Sequence, residues 1–263
     1  MPSRHHLPLA IAAALAFAGG VTRASLPSQA DADARTLVMK LRALRDQAST
    51  DATVRLLVTA PGDTRLVRTL RVRARAIGDE FKTLVEVHDA SRLQGRVLMV
   101  QAGSAVAVES WHRQEPPAGP AGDTDTGIRW ISPCLQIDDL SDAHLWWPIQ
   151  SLVRRERVGD RSVLVLESRL RAADSAPYTV VTDWIDAGRL VPLRTEKASA
   201  DGKPVATVTY DRIRQREGRW APGRVVIARP GRGCRVELTA LSGTTRASIP
   251  ATAFDPTRLA EVR

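Results

Sequence analysis

Three aspartates give the clearest sign of possible chemistry in this sequence. Asp138, Asp139 and Asp142 form the pattern Asp-Asp-x-x-Asp, which binds magnesium diphosphate in isoprenoid synthases. That chemistry requires two such clusters facing each other inside a helical bundle, and this chain has one cluster in a sequence rich in strand patterns. We therefore interpret the segment as a solvated loop.

Other possible ligands do not form a metal site either. The segment 123–127 opens like a calcium loop, but Gly127 occupies the third ligand position and Cys134 takes the place of the bidentate glutamate. Three histidines are scattered without the short spacing of zinc ligands: His88, His112 and His144. We expect no metal and no other cofactor.

The sequence also lacks the short motifs that position a catalytic group. It contains no Gly-x-Ser-x-Gly elbow, no Walker loop and no paired-carboxylate motif. Because a hydrolase can spread its triad over a fold, an exported hydrolase stays an alternative. We expect a binding protein, not an enzyme, and assign no catalytic residue.

The first 24 residues have the pattern of a signal peptide. Arg4 begins a positive start, residues 7–18 are apolar, and Thr22 and Ala24 are the small residues of a cleavage site. We predict cleavage after Ala24 and export to the periplasm of the cell envelope.

The cysteine pair fits that compartment. Cys134 and Cys234 are the only two cysteines in the chain, and an oxidising compartment permits them to pair. A disulfide between them would close a loop of about 100 residues, worth about 4–5 kcal/mol. Two separate buried thiols are the alternative.

Charge indicates the class of partner. The net charge of +9 falls to +7 when Arg4 and Arg23 leave with the signal peptide. Arginines recur between positions 65 and 75 in alternation with apolar residues, which is typical of the solvent face of a strand. Export argues against a nucleic-acid partner, whereas an anionic lipid headgroup or membrane surface fits both charge and compartment.

Hydrophobic periodicity predicts one helix followed by many strands. Apolar residues at helical spacing indicate a helix over 31–48. After a long exposed loop over 114–127 and an irregular segment over 128–149, alternation resumes up to a short terminal helix anchored by Phe254 and Leu259. About 11–12 antiparallel strands cannot lie in one flat sheet, so the sheet must curl. Strands are predicted over 53–60, 64–77, 80–88, 95–101, 104–111, 150–158, 161–170, 177–186, 190–198, 204–215, 219–229 and 233–241.

A set of short motifs follows in a fixed order along residues 36–260. The set is Arg92–Val100, Tyr178, Trp184, Pro192–Arg194, Asp201–Lys203, Tyr210, Trp220–Pro222, Ile249–Pro250, Phe254 and Leu259. In order and spacing these motifs resemble the outer-membrane lipoprotein-sorting family, the LolA-like periplasmic carriers. The segment over 138–142 departs from the Gly-Ser-Asp-Phe-Ser pattern common in that family.

The resemblance implies a mainly β fold in one domain over 25–263. This domain would be a strongly curved, incompletely closed antiparallel β-barrel with an N-terminal helix and short helices plugging its concave face. It would bind acyl chains of a lipid or lipoprotein and transport them to the outer membrane or a partner transporter. A lipid-binding sensor on the same fold is the alternative, and we expect a monomer.

Strand alternation then predicts the residues that line an apolar cavity. Residues on one face of each early strand should point into the concavity, and tryptophans should lie near its mouth because an indole can keep its N–H in water. The predicted set is Leu70, Val72, Phe81, Val85, Val87, Val97, Met99, Trp130, Trp146 and Trp147.

Overall fold

The structure, a computed structural model, describes residues 29–87, 93–114, 128–171 and 178–261. The predicted signal peptide, His88 and the loop residues 115–127 lie outside the described residues. Among the described residues, no helix is long and apolar enough to span a membrane.

One α-helix precedes the sheet. Helix α1 spans Gln29–Asp46, within two residues of the prediction. Its apolar stripe buries Ala34, Leu37 and Val38 against the half of the sheet formed by the later strands. Asp31 in the first turn and Arg45 in the last turn have the charges that stabilise helix ends.

The strands form two consecutive antiparallel meanders. The first contains β1 (Ser49–Ala60), β2 (Thr64–Ile77), β3 (Glu80–Val87), β4 (Leu93–Ala102) and β5 (Ala105–Gln114). The second contains β6 (Ile149–Val158), β7 (Arg161–Arg169), β8 (Val180–Asp186), β9 (Val191–Ala198), β10 (Pro204–Asp211), β11 (Arg214–Arg216), β12 (Arg219–Ala221), β13 (Arg224–Arg229) and β14 (Cys234–Thr244).

Twelve of these strands form a single sheet. Its order is β5-β4-β3-β2-β1-β14-β13-β10-β9-β8-β7-β6, so the pairing of β1 with β14 joins the two meanders. In the described part of the chain β5 and β6 are the edges and do not pair. The predicted curved, incompletely closed antiparallel barrel with an N-terminal helix is confirmed.

One interruption of the sheet differs from the prediction. The sequence predicts unbroken strands over 204–215 and 219–229, and this is wrong: the chain leaves the sheet after Asp211 and returns at Arg224. Arg212 has a φ of 53°, and the Gly223 N–H donates to the Asp211 and Arg212 carbonyls at 3.1 and 3.2 Å. Between these positions β11 and β12 pair only with each other.

The concave face of the first meander is covered by the segment 128–140. Ile128, Ile131 and Leu135 pack in one cluster with the strand residues. The segment ends in a short 3₁₀ helix, Ile137–Asp139, and a second 3₁₀ helix, Ala143–Trp146, follows it and packs with α1.

The opposite face of the first meander is covered by the C-terminal segment. Phe254 and Leu259 pack against Leu84 and Leu98, which alternate along β3 and β4 with concave-face residues. The predicted terminal helix consists of two 3₁₀ turns, Ala251–Phe254 and Pro256–Arg258. Both faces of β3 and β4 are therefore buried.

Candidate functional site

Strand register places the predicted strand residues on one face. Val85 lies opposite Val72 on β2 and Val97 on β4. The segment 128–140 packs on this same face, so it is the concave one. The residues that share the face are Leu70, Val72, Phe81, Val85, Val87, Val97 and Met99.

Most of these residues pack in a filled core. Leu70, Val85, Val97 and Met99 are at most 2% exposed and contact the segment 128–140. That segment occupies the space in this half of the concavity. Their contact with a cargo stays a prediction, and it would require the segment to move.

The three tryptophans have different environments. The Trp130 ring stacks on His112 with centroids 5.3 Å apart, and it lies over β4, where a Cβ at Gly95 would be only 2.5 Å from Trp130 Cη2. Trp146 lies beneath the Arg42 and Arg45 guanidinium groups at 4.6 and 4.9 Å. Trp146 and Phe81 line a small pocket of about 210 Å³.

Trp147 lines a larger opening beside the edge strand β5, which we call the seam cleft. This cleft has a volume of about 640 Å³. Ser104 and Val106 line it at β5, and Trp147 and Tyr178, which precede β6 and β8, also line it. Its wall is mixed, because polar side chains also contribute to it: Arg129, Gln136, Asp138, His144 and Arg232.

A second opening lies beneath the C-terminal half of α1, and we call it the helix cleft. It has a volume of about 450 Å³ and a predominantly apolar wall. Leu41 and Leu44 form its roof, because they continue the helical stripe beyond the residues buried against the sheet. Its floor and mouth contain Ile185, Leu190, Pro192, Tyr210, Trp220 and Pro222.

His144 lines both clefts. Its Nε2 lies 2.9 Å from Asp183 Oδ2, and the Thr195 hydroxyl donates to Asp183 Oδ1 at 2.5 Å. Tyr210 Oη lies 3.4 Å from the Thr195 hydroxyl, and burial raises the pKa of Tyr210 well above its usual value. The four polar side chains therefore have partners among themselves in the wall of the helix cleft. Tyr210, at the floor of that cleft, stays uncharged because its pKa is raised.

A buried ionic cluster fixes the segment 128–140 to the sheet. The Arg229 guanidinium donates to both Asp139 oxygens at 2.5 and 2.6 Å, and Lys197 Nζ donates to the Asp138 carbonyl at 2.8 Å and lies 3.5 Å from Asp139. Burial lowers the pKa of Lys197, although Asp139 opposes the shift. The solvated-loop interpretation is wrong for Asp139, whose side chain is completely buried.

A covalent bond holds the same segment. Cys134 and Cys234 form the predicted disulfide, with Cα atoms 5.7 Å apart. The bond joins the segment to the start of β14, close to Arg229 at the end of β13. The alternative of two separate thiols is excluded by this structure.

The described residues form two clefts, but they do not form a recognisable catalytic or metal-binding group. In the described ranges no group of three or more His, Cys, Asp or Glu residues is placed to hold a metal ion. His144 makes no hydrogen bond to a serine or threonine hydroxyl within the described part of the chain, and its partner Asp183 orients Thr195 instead. The geometry suits binding of an elongated apolar ligand.

The helix cleft was not predicted from sequence. Its lining comes from α1, from the β8–β9 turn and from the interrupted strands, so neighbours in space are far apart in the chain. One signal was present: Leu44 extends the apolar stripe of α1 past Leu41, the last leucine of the helix that packs with the residues of β6 and β7.

Comparison with known structures shows which fold this is. A DUF1329 family protein from Desulfovibrio piger has a TM-score of 0.74 at 15% identity, covering 88% of this chain and 100% of its own. A putative outer membrane lipoprotein-sorting protein domain from Vibrio parahaemolyticus has a TM-score of 0.69 at 18% identity, covering 87% and 99%. A LolA superfamily protein from Nitrosomonas europaea has a TM-score of 0.59 at 19% identity, covering 84% and 96%.

A protein-family model also matches the sequence. Its description is "Uncharacterized protein", and it matches residues 129–261, just over half of the chain. The chain belongs to this family. Its fold is LolA-like, so the resemblance predicted from sequence is confirmed at the level of the fold. No curated protein matches the LolA-like chain.

Proposed function

We propose that this protein is a periplasmic carrier that binds an acyl chain of a lipid or lipoprotein in the helix cleft. The observation that carries the proposal is the apolar cleft itself, about 450 Å³ between α1 and the concave face. That volume lies within the usual range for small-molecule sites. The similarity of the fold to a lipoprotein-sorting domain supports the same ligand class.

The energetics suit a carrier. Burying ten methylenes gains about 8 kcal/mol, and binding costs at least about 4 kcal/mol in lost freedom. The difference leaves an affinity that draws a chain from water and still permits its release. The aromatic rim supports this use, because Trp220 and Tyr210 can cover an acyl chain while their polar atoms face the wall or water.

The remaining parts of the proposal concern processing and transfer. Residues 1–24 would be removed as a signal peptide, and residues 25–263 would act as one monomeric domain without catalytic activity. The bound chain would pass to the outer membrane or to a partner transporter. The seam cleft would hold the rest of the cargo, because its mixed wall contains Arg129 and Arg232 as well as Trp147.

A matched pair of variants on α1 tests the binding site. Leu44 lines the helix cleft and is 37% exposed, whereas Met39 is 61% exposed on the same helix and lines no cavity described above. We expect Leu44→Glu to weaken binding of a fluorescent fatty acid at least tenfold, because a carboxylate in the roof must lose water when the chain enters. Met39→Glu should bind the fatty acid like the unmodified protein.

Both variants change partly exposed residues, so both should remain folded, and urea unfolding checks this. Equal binding by the two folded variants would contradict the assignment of the helix cleft. Failure of the unmodified protein to bind any acyl probe would contradict the proposed function.

A further inference from the structure

The β11–β12 hairpin combines strong positive charge with an exposed aromatic ring. Four arginines and a single acidic residue, Glu217, lie within the eight residues over 212–219. Trp220 follows them and is 38% exposed. The Glu217 carboxylate accepts hydrogen bonds from the Thr244 hydroxyl at 2.6 Å and the Thr245 N–H at 2.8 Å, so both of its oxygens have threonine donors.

Further arginines enlarge this surface. The Arg189 guanidinium lies 4.7 Å from the centre of the Trp220 ring, and Arg246 lies beside Gly218 at the hairpin turn. Arg219 donates to the Leu44 carbonyl at 2.7 Å and so ties the hairpin to the end of α1. We call this set the basic hairpin surface: Arg189, Arg212, Arg214, Arg216, Arg219, Trp220 and Arg246.

The basic hairpin surface adjoins the mouth of the helix cleft. Arg189, Arg219 and Trp220 belong to both, because the hairpin forms one wall of the opening. An ordinary solvent-facing hairpin has no need for an exposed tryptophan among arginines. Tryptophan is enriched at the headgroup level of membranes, and arginines there are attracted to anionic lipids.

We propose that the basic hairpin surface docks on an anionic lipid bilayer with the Trp220 ring at headgroup level. Charge complementarity supports this partner, since the surface contains six arginines and one exposed ring. Arg189 pairs with Asp186 at 2.9 Å, and the Glu217 carboxylate accepts from threonines, so most of the positive charge of the surface has no carboxylate partner among the described ion pairs. Docking would bring the mouth of the helix cleft against the membrane, where a lipid chain can enter or leave. That use of docking rests on the proposed carrier function, but docking itself does not.

Vesicle binding by the mature full-length protein tests the proposal. We expect cosedimentation with vesicles of phosphatidylcholine containing about one third phosphatidylglycerol, little with pure phosphatidylcholine, and a loss of binding as salt rises. Equal binding to both vesicle types, or no binding to the anionic vesicles at low salt, overturns the proposal.

Two double variants with the same loss of charge locate the surface. Arg214→Gln with Arg216→Gln removes two charges from the hairpin, and neither residue lines the helix cleft. Arg65→Gln with Arg235→Gln removes two exposed charges from the opposite end of β1, where both residues flank Thr59. Each arginine lost should weaken binding to anionic vesicles about fivefold, so we expect the hairpin variant to bind them about 25-fold more weakly. The control variant should bind these vesicles almost as strongly as the unmodified protein.

Two readouts separate docking from the carrier function. Both double variants should bind the fluorescent fatty acid normally, so loss of fatty-acid binding by the unmodified protein would count against the carrier function alone. Brominated lipids should quench tryptophan fluorescence in the unmodified protein more than in Trp220→Phe. Equal effects of the two double variants on vesicle binding, or equal quenching in the presence and absence of Trp220, would overturn the proposed surface.

Discussion

Asp139 provides the negative charge at the centre of the buried ionic cluster. Arg229 and Lys197 are each at most 3% exposed, and both contact its carboxylate. Removing charges from water costs several kcal/mol per ion, so such a cluster contributes little net stability compared with apolar packing. Its role is to hold position, because Asp139 contacts both cations and so attaches the segment 128–140 to β9 and β13.

Loss of the Asp139 charge should destabilise the protein strongly. We expect Asp139→Asn to lower the free energy of unfolding by about 3–5 kcal/mol, because Arg229 and Lys197 remain buried without the carboxylate that contacts them both. Urea unfolding with the disulfide intact measures the change. Asp201→Asn is the matched control, since its pair with Lys203 is exposed and should leave the unfolding midpoint nearly unchanged. Similar midpoints for the two variants would contradict this account.

Single residues were the hardest features to predict. Asp139 and its neighbours have the composition of a solvated loop, and their partners Lys197 and Arg229 lie 58 and 90 positions further along the chain. A local pattern cannot report such distant charges. The cysteines were different, because two thiols in an oxidising compartment leave only one intramolecular pairing.

The segment 128–140 is the element that determines how much of the concavity is open. Its apolar residues fill the half formed by the first meander, and the disulfide and the ionic cluster fasten it at Cys134 and Asp139. Segments without regular secondary structure lack a ladder of backbone hydrogen bonds, so side-chain and covalent attachments must hold them. The fastening explains why an irregular segment can act as part of the core.

Removing the disulfide should weaken this element. The bond joins residues 100 positions apart, and we expect Cys134→Ser with Cys234→Ser to lower the free energy of unfolding by about 4 kcal/mol. Chemical denaturation of the double variant beside the oxidised protein measures the difference. A loss smaller than about 1 kcal/mol would show that packing and the ionic cluster alone hold the segment.

Elements were predicted well where one pattern persists. The alternation of apolar and polar residues predicted β2 over 64–77, which are its observed bounds. The apolar stripe predicted both ends of α1 to within two residues. The sequence analysis missed the interruption of the sheet between β10 and β13, where β11 and β12 form. The interruption depends on the left-handed backbone of Arg212 and on the close contact of Gly223 with the Arg212 carbonyl. Arginine carries no turn preference, so the sequence offered little warning.

At the scale of the whole molecule, the two halves of the barrel differ in how they use their concave faces. The first meander is filled by the chain's own segment 128–140, whereas the second meander shares its face with α1 and leaves the helix cleft open. The curved fold followed from the number of strands, which is too large for a flat sheet. The location of free space did not follow, because segments packed on a sheet decide which part stays empty.

Because the first meander is filled, we now expect the cargo to lie away from most of the residues that strand alternation predicted as cavity lining. Val85, Val97 and Met99 face the concavity and contact protein, whereas Leu44 and Trp220 border free volume. Of the ten residues predicted from sequence, Trp147 lines the seam cleft and Phe81 and Trp146 line the smaller pocket. His144 lines both large clefts, the two openings in which we place the cargo.

Native mass spectrometry of the protein released from the periplasm under non-denaturing conditions shows whether it carries an acyl lipid. We expect a population heavier than the polypeptide by the mass of an acyl lipid, which collisional activation releases. The same preparation of Leu44→Glu should lack this population, while Met39→Glu should retain it. A polypeptide that carries no acyl lipid in any preparation, and gains none when incubated with lipid vesicles, would contradict the proposed carrier function.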